Sequence, residues 1–386
     1  MDISLATDKR GGHPITAAAG RARCVAIFGK RGSGKSYTLG RIVEEYHRLG
    51  SHLIVVVDPL AVYWSTAIPL DGQPIPVKVC VPGPPEKALG PLLRPMQGYG
   101  VEIARLWLNP SDIGPDGWCS FFGFDLAEPQ GICLFRAVHE LQKREFPWAI
   151  PDIIGLIQAD DLAQVKTREA LENRLRMAAT WGIFAEDYTP TLAVLEPGKV
   201  NVVDVSAFEP GPQSIRNLAV KLLVEQLFRA RFEAWRAETL GQLPSPSEGE
   251  GTGVRVPPGL LCIDEAHDYC PANLAALARP PLIRWAKEGR QPGLSLAVAT
   301  QQPSALSFDL VSQADLLIIH HLTLGDDVKV VARLASSYAA DLPAFLKGVR
   351  RPGEAVIVDD ATERVVVGQV LPRRTRHGVG EALLSK

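Results

Sequence analysis

The chain has 386 residues, 46% of them hydrophobic, with 41 basic against 43 acidic side chains and a formal net charge of −2. That length holds one large α/β domain or two smaller ones, and the apolar content suffices for a sizeable core. Near-neutrality excludes a polycation, so any nucleic-acid contact must come from local patches, while no apolar run reaches membrane-spanning length and no signal-like stretch opens the chain.

Residues 1–20 are polar and glycine-rich and are expected to form a flexible arm. A first strand runs from Arg23 to Phe28 and belongs to a core segment of residues 21–75. Directly after it, Gly29 to Ser36 reads GKRGSGKS and fits G-x-x-x-x-G-K-[ST] in full. Leu39, Ile42, Val43 and Tyr46 then recur at helical spacing. Strand, glycine loop and helix in that order are the context of a phosphate-binding loop. Gly29, Gly32 and Gly34 let the backbone around Lys30, Arg31 and Ser33 curl about an anion. Lys35 supplies a point charge for the β- and γ-phosphates, the Ser36 hydroxyl a ligand for Mg2+, and the helix entered at Tyr37 its N-terminal dipole. The stretch Gly29 to Tyr37 therefore predicts ATP and Mg2+ as cofactors.

A second strand, His52 to Val57, ends at Asp58-Pro59. Residues from about Pro69 to Pro95 read as irregular, and residues 76–195 as a mostly helical insertion, best patterned from Arg168 to Trp181. The core resumes over residues 196–372 with a strand at Lys199 to Val205 and an amphipathic helix carrying Ile215, Leu218, Ala219, Leu222 and Leu223. Within it, residues 241–253 (GQLPSPSEGEGTG) cannot bury anything and read as a solvent loop. Strands follow at Leu260 to Ile263, Leu294 to Ala299, Leu316 to His320 and Ala355 to Val358, with Val365 to Val367 pairing with the last. Residues 373–386 form a basic tail. Short apolar strands alternating with helices indicate a largely parallel, doubly wound α/β sheet. Ligands bind at the carboxyl ends of such strands, where Lys35, Asp58, Glu265 and Gln301 all fall.

The strand Leu260 to Ile263 runs into Asp264-Glu265-Ala266-His267. Asp264 is placed to hold the Mg2+ water shell, and Glu265 to polarise a water for attack on the γ-phosphate. A kinase built on the same loop takes its nucleophile from the substrate and does not need that second carboxylate, so the pair argues for hydrolysis. The six cysteines, Cys24, Cys80, Cys119, Cys133, Cys262 and Cys270, show no C-x-x-C spacing and suit reduced, buried thiols of a cytoplasmic protein.

Taken together, GKRGSGKS, VVVDP, LLCIDEAH, IRWAKEGRQPGLSLAVATQQPSALS and RPGEAVIV resemble the HerA/FtsK superfamily of hexameric DNA-pumping ATPases, the HerA branch best. The resemblance covers most of the chain from Arg21 onwards and is most specific from Leu260 to Ser312. It implies a RecA-like, ASCE-type P-loop core working as a homo-hexameric ring, with ATP at subunit interfaces. It also implies Gln301 as a γ-phosphate sensor, Arg290 as an arginine finger reaching a neighbour's site, and Arg23 as a second interface arginine near the nucleotide. The segment Asp58 to Tyr63 is similar to that family's D-P-x-x-E-Y, with Val62 where the acid stands. Members typically begin with a β-barrel that docks a nuclease, and only some twenty residues precede the first strand here, so the family's own nuclease partnership does not carry over directly and the expected partner is a nuclease or other effector protein.

Asp264 to His267 also spells the DEAH of another helicase superfamily, whose second-domain Q-x-x-G-R-x-x-R motif is not found. His267 reads as a local coupling residue, and the His320-His321 pair as structural, since neighbours on a strand point to opposite faces. No DNA-binding motif stands out. Basic candidates for phosphate-backbone contacts are Lys347, Arg350 and Arg351, with Arg373, Arg374 and Arg376. The sequence reading is thus a Mg2+- and ATP-dependent ring motor that translocates on DNA with a nuclease or other effector, in DNA processing or antiviral defence. The alternative is an ATP-gated scaffold that assembles and activates a partner without processive movement.

Overall fold

The computed structural model describes residues 2–241, 256–323, 325–334 and 342–378. Nearly all of the solvent loop expected at 241–253, and residues 379–386 of the expected tail, lie outside them.

The strand after Arg23 is buried at every position, and its side chains divide between two apolar layers. Cys24, Ala26 and Phe28 enter one, Val25 and Ile27 the other. Leu53 to Val57 divides the same way. A strand covered on both faces belongs inside a parallel sheet with helices above and below. The sheet is built from β1 (Asp2–Asp8), β2 (Pro14–Ala18), β3 (Cys24–Phe28), β4 (Leu53–Asp58), β5 (Val77–Pro82), β6 (Glu102–Leu106), β7 (Val200–Asp204), β8 (Gly259–Ile263), β9 (Leu294–Thr300), β10 (Leu316–Ile319), β11 (Glu354–Asp359) and β12 (Arg364–Val370). Their order is β2-β1-β12-β11-β10-β3-β9-β8-β4-β7-β5-β6. From β10 to β6 every pairing is parallel, and the four strands beyond β10 are antiparallel.

Helix α1 (Lys35–Leu49) covers one face through Leu39, Ile42, Val43 and Tyr46, the stripe expected from sequence. It ends where Gly50 turns left-handed at φ +70°. The other face carries α2 (Pro115–Phe122), α3 (Pro129–Leu141), α4 (Ile150–Gln158), α5 (Val165–Ala179), α6 (Ile215–Thr239) and α7 (Arg279–Glu288). Trp118, Leu134, Ile153, Leu171, Leu222 and Trp285 join them in one apolar layer.

Three expectations need correction. The arm expected at residues 1–20 contains a β-hairpin. Ile3, Leu5 and Ala17 are buried, and β1 pairs with β12, so apolar alternation outweighs the glycines, which serve only the turn. The mostly helical insertion does not begin at residue 76. Val77, Val79, Cys80 and Val81 are buried in β5, which with β6 completes the far edge of the sheet, and the helical part is α2 to α5. The prolines flanking β5 read as loop signals, and Lys78 breaks the run, its ammonium held by Glu102 at 2.7 Å and by Glu196. The tail expected from residue 373 is packed through residue 378. Arg373 is 4% exposed and donates to Glu44 of α1 at 3.1 Å and to Thr66 and Thr375, which removes it from the DNA-contact candidates.

All six cysteines are buried and unpaired. Among the described residues no helix is long and apolar enough to cross a membrane.

Candidate nucleotide site

The loop between β3 and α1 is held from outside as well as within. Lys30 N donates to His321 O at 2.9 Å, Ser33 N to Lys30 O at 3.2 Å, and Gly353 N to Ser33 O at 3.0 Å. Gly32 at φ +76° and Gly34 at φ +112° take left-handed conformations that side chains resist. A Cβ on Gly29 would press on the Ser33 hydroxyl and lie 2.7 Å from the His320 Cβ. Lys35 is 6% exposed, donates to Lys30 O at 3.4 Å and has no carboxylate at ion-pair distance among the described residues. Burial lowers its pKa, against the opposing pull of Glu265 and Asp264. The Ser33 hydroxyl is buried without a partner. A desolvated cation, an orphaned hydroxyl and the unpaired N–H groups of a helix start form a cradle for an anion.

At the end of β8, Asp264 is fully buried. Its Oδ2 accepts the Tyr63 hydroxyl at 2.9 Å and its Oδ1 accepts Glu265 N at 3.0 Å. The Tyr63 hydroxyl also lies 3.4 Å from Ser36 O, so it stands between the two residues suited to a hard cation, a hydroxyl and a carboxylate. That donor set fits Mg2+, which when bound would neutralise phosphate charge; Ser36 and Asp264 would hold it.

Glu265 sits at φ +49°, ψ +47°, a strained choice for a non-glycine residue. Its Oε2 is buried without a hydrogen bond, 3.5 Å from His267 Nδ1. Burial, then the charge of Asp264, push its pKa up to about 7, with Lys35 opposing. The Gln301 backbone N–H also donates to this carboxylate, and its unpartnered Oε2 is the atom poised to take a proton from water. His267 also meets the Thr300 hydroxyl at 3.0 Å, which links Glu265 to the end of β9.

β9 is inserted between β3 and β8, so Gln301 emerges beside the phosphate loop and Glu265. Lys35, Ser36, Asp264, Glu265 and Gln301 are thus brought to one end of the sheet. Tyr37 is half-buried, and its hydroxyl accepts Arg373 N at 2.7 Å, a bond that ties the start of α1 to the C-terminal segment.

Two arginines are not brought there. Arg23, expected near the nucleotide, precedes β3 at the opposite end. It is 3% exposed and donates to Asp359 at 2.9 Å, with Asp315 at 3.4 Å. A guanidinium buried and spent on two carboxylates does not reach a nucleotide, so that assignment is withdrawn. Arg290 is exposed and precedes β9, whereas Gln301 follows it. The seven residues of β9 span about 20 Å, more than a side chain can bridge.

Sequence reading missed Tyr63 as a site residue and gave His320 no part in shaping the loop. β10 stops before His320, so the expected strand alternation does not apply to the pair. His320 is fully buried, its Nε2 2.9 Å from the Thr38 hydroxyl and its Nδ1 2.8 Å from Glu354 O. His321 Nδ1 lies 2.9 Å from Val349 O. Burial lowers the pKa of His320 to about 4. A depressed folded pKa means that the unfolded chain takes the proton first. Stability from this group is full above pH 6.5 and falls as pH drops towards 4. Relative to His320→Gln, the wild type is expected to lose roughly 3 kcal/mol between pH 7 and pH 4. Denaturant melts of both proteins across that range check it.

A glycine loop entering a helix, an Asp-Glu strand end and a strand inserted between them define a P-loop ATPase of the ASCE type. Residues 21–229, more than half of the chain, match the family described as the central domain of helicase HerA, and the protein belongs to that family. It is 36% identical over 372 residues to the probable DNA double-strand break repair helicase HerA of Methanocaldococcus jannaschii, covering 88% of this chain and 70% of that one. To the DNA double-strand break repair helicase HerA of Pyrococcus furiosus it is 30% identical over 182 residues, 44% of this chain. The chain spans about a third of that relative, the matched stretch being 32% of its length. The solved structure of VirB4 from Thermoanaerobacter pseudethanolicus superposes with a TM-score of 0.61 at 15% identity, covering 96% of each chain, a likeness of fold.

Proposed function

We propose that this protein is a Mg2+-dependent ATPase that drives DNA translocation or unwinding as a homo-hexameric ring in the cytoplasm, together with a nuclease or other effector protein, in DNA processing or antiviral defence. Lys35 and the loop from Gly29 to Tyr37 bind the phosphates, Ser36 and Asp264 hold the metal, Glu265 activates water and Gln301 reports the γ-phosphate. The observation that carries the hydrolytic reading is Glu265, a half-buried carboxyl beside Asp264 and Lys35 whose Oε2 is buried without a hydrogen bond. Support for DNA as the track comes from the relatives, two of which are named as DNA double-strand break repair helicases.

A tracking motor contacts phosphates and reads no bases. Lys347, Arg350, Arg351, Arg374 and Arg376 are the exposed basic side chains offered for this. With a non-hydrolysable ATP analogue bound, duplex affinity should show little sequence preference. It should fall ~10³-fold or more between 50 and 200 mM salt if six or more phosphates are engaged. DNA should also stimulate turnover. Salt-insensitive binding, or none, with ATP-dependent assembly retained, would favour the ATP-gated scaffold.

A further inference from the structure

The segment Asp58 to Tyr63 follows β4, and its acidic position is Val62. Asp58, fully buried, accepts Leu60 N at 3.0 Å and both Val62 N and Tyr63 N at 2.7 Å. Three N–H groups on one carboxylate fold the turn tightly enough to hold Ala61 left-handed at φ +54°, a conformation that costs a non-glycine residue roughly 1–2 kcal/mol. The result is a fixed direction for Tyr63, whose ring is fully buried. Its hydroxyl donates to Asp264 Oδ2 at 2.9 Å and reaches Ser36 O at 3.4 Å. The Asp264 Oδ1 is meanwhile occupied by Glu265 N at 3.0 Å.

We infer that Tyr63 is a positioning residue for the metal side of the site: its hydroxyl fixes the orientation of the Asp264 carboxylate and ties it to the first turn of α1. The inference rests on the ATPase reading above. A carboxylate with one oxygen on a backbone N–H and the other on a rigid phenol has little rotational freedom left. Its remaining lone pairs are then held in one direction, and the same phenol reaches the Ser36 carbonyl. Outer partners of this kind commonly carry ~10–100-fold of metal affinity without touching the metal. In this chain Asp58 and Tyr63 then shape this corner of the site, and Val62 contributes its N–H to the Asp58 carboxylate.

The test is Tyr63→Phe, which removes one oxygen and keeps the packed ring. Binding of a non-hydrolysable ATP analogue is followed by calorimetry while Mg2+ is titrated. Tyr63→Phe should need about tenfold more Mg2+ for half-maximal tightening. Nucleotide affinity without Mg2+ should stay at the wild-type value, and the Tm of the free protein should fall by only the few degrees expected from one lost hydrogen bond to a buried carboxylate. In an Asp264→Asn background the same substitution should shift nothing further, because the residue it acts through is already altered. An unchanged Mg2+ curve overturns the inference. So does a loss shared equally by Mg2+-free affinity and Tm, or a full additional shift in the Asp264→Asn background. Should the wild type itself bind nucleotide with no Mg2+ dependence, the ATPase reading fails first and takes this inference with it.

Discussion

Glu265→Gln is expected to bind ATP as the wild type does and to hydrolyse it ~10²–10⁴-fold more slowly, the range a positioned general base supplies. The amide keeps the shape and removes the basic oxygen. The geometry adds two expectations. Because burial and Asp264 push the Glu265 pKa up to about 7, it carries a proton in much of the nucleotide-free population at neutral pH. Wild-type kcat/KM should therefore rise through about pH 7 as the carboxylate ionises, and the residual activity of the variant should lack that limb. The second concerns stability. An acid whose folded pKa is raised destabilises the fold once ionised, so its cost grows as pH rises from 4.5 through 7. Replacing it with a neutral amide should leave the nucleotide-free protein at least as stable as wild type at pH 8, and less active. ATP turnover, nucleotide titration and thermal melts at pH 6 and 8 check these together. A variant that keeps more than about a tenth of the wild-type rate would remove Glu265 from the role of base.

The parts of the sheet that read correctly from sequence are those where one local signal sufficed. β3, β4, β7, β8 and β9 are largely apolar runs buried at every position, interrupted inside by Asn201 in β7 and Ser295 in β9, and the phosphate loop, Asp58, Asp204, Asp264 and Thr300 close or follow them at the same end of the sheet. The phosphate loop was legible because glycine spacing and strand-helix context coincide. β1, β2, β5 and β6 were not, and the reasons differ. β2 is an edge strand and β1 lies between it and β12; their polar residues alternate with Ile3, Leu5 and Ala17 around a Gly11-Gly12 turn. β5 is enclosed by prolines and interrupted by Lys78, whose charge is tolerable only because Glu102 and Glu196 meet it from other segments. Such pairings are tertiary and leave no local trace. Arg373 misleads in the same way. A run of arginines looks like a tail until Glu44 on α1 and the missing side chain of Gly40, where a Cβ would meet the guanidinium, show the pocket made for it.

Within the candidate site, the residues proposed to meet phosphate or water were legible, and the residues that orient them were not. Lys35, Ser36, Asp264, Glu265 and Gln301 stand in spaced motifs. Tyr63 and His320 act through contacts with residues far along the chain, Asp264 and Thr38, and nothing in their immediate neighbours announces it. Arg23 shows the reverse failure. Its position before β3 invited an interface role, but Asp315, just before β10, and Asp359, at the end of β11, consume its charge from far along the chain. A residue inferred from its place in a motif keeps that role only while its charge is free.

Arg290 retains a free charge, and the largest cooperative effect is expected there. It is exposed, and among the described residues no carboxylate lies at ion-pair distance. Gly289 closes α7 with its N–H on Trp285 O, Gly293 N returns to Arg290 O, and β9 then carries the chain across the sheet to Gln301. Arg290 is therefore at the far end from its own phosphate loop, about 20 Å away along β9. A single subunit cannot bring it to its own γ-phosphate, whereas a neighbour packed end to edge could. An arginine supplied in trans commonly contributes ~10³–10⁵ in rate by neutralising charge in the loose phosphoryl-transfer transition state. Arg290→Ala and Lys35→Ala proteins should each be nearly inactive alone, the first with intact nucleotide binding and the second without it. Mixed, they should form some interfaces that pair an intact Lys35 with an intact Arg290, and recover part of the ATPase activity. Native mass measured on the same mixtures separates failed exchange from failed chemistry. Well-formed mixed assemblies with no recovery, or a monomer that hydrolyses ATP at the full rate, would remove Arg290 from the site and leave the charge of the transition state to Lys35 and the metal alone.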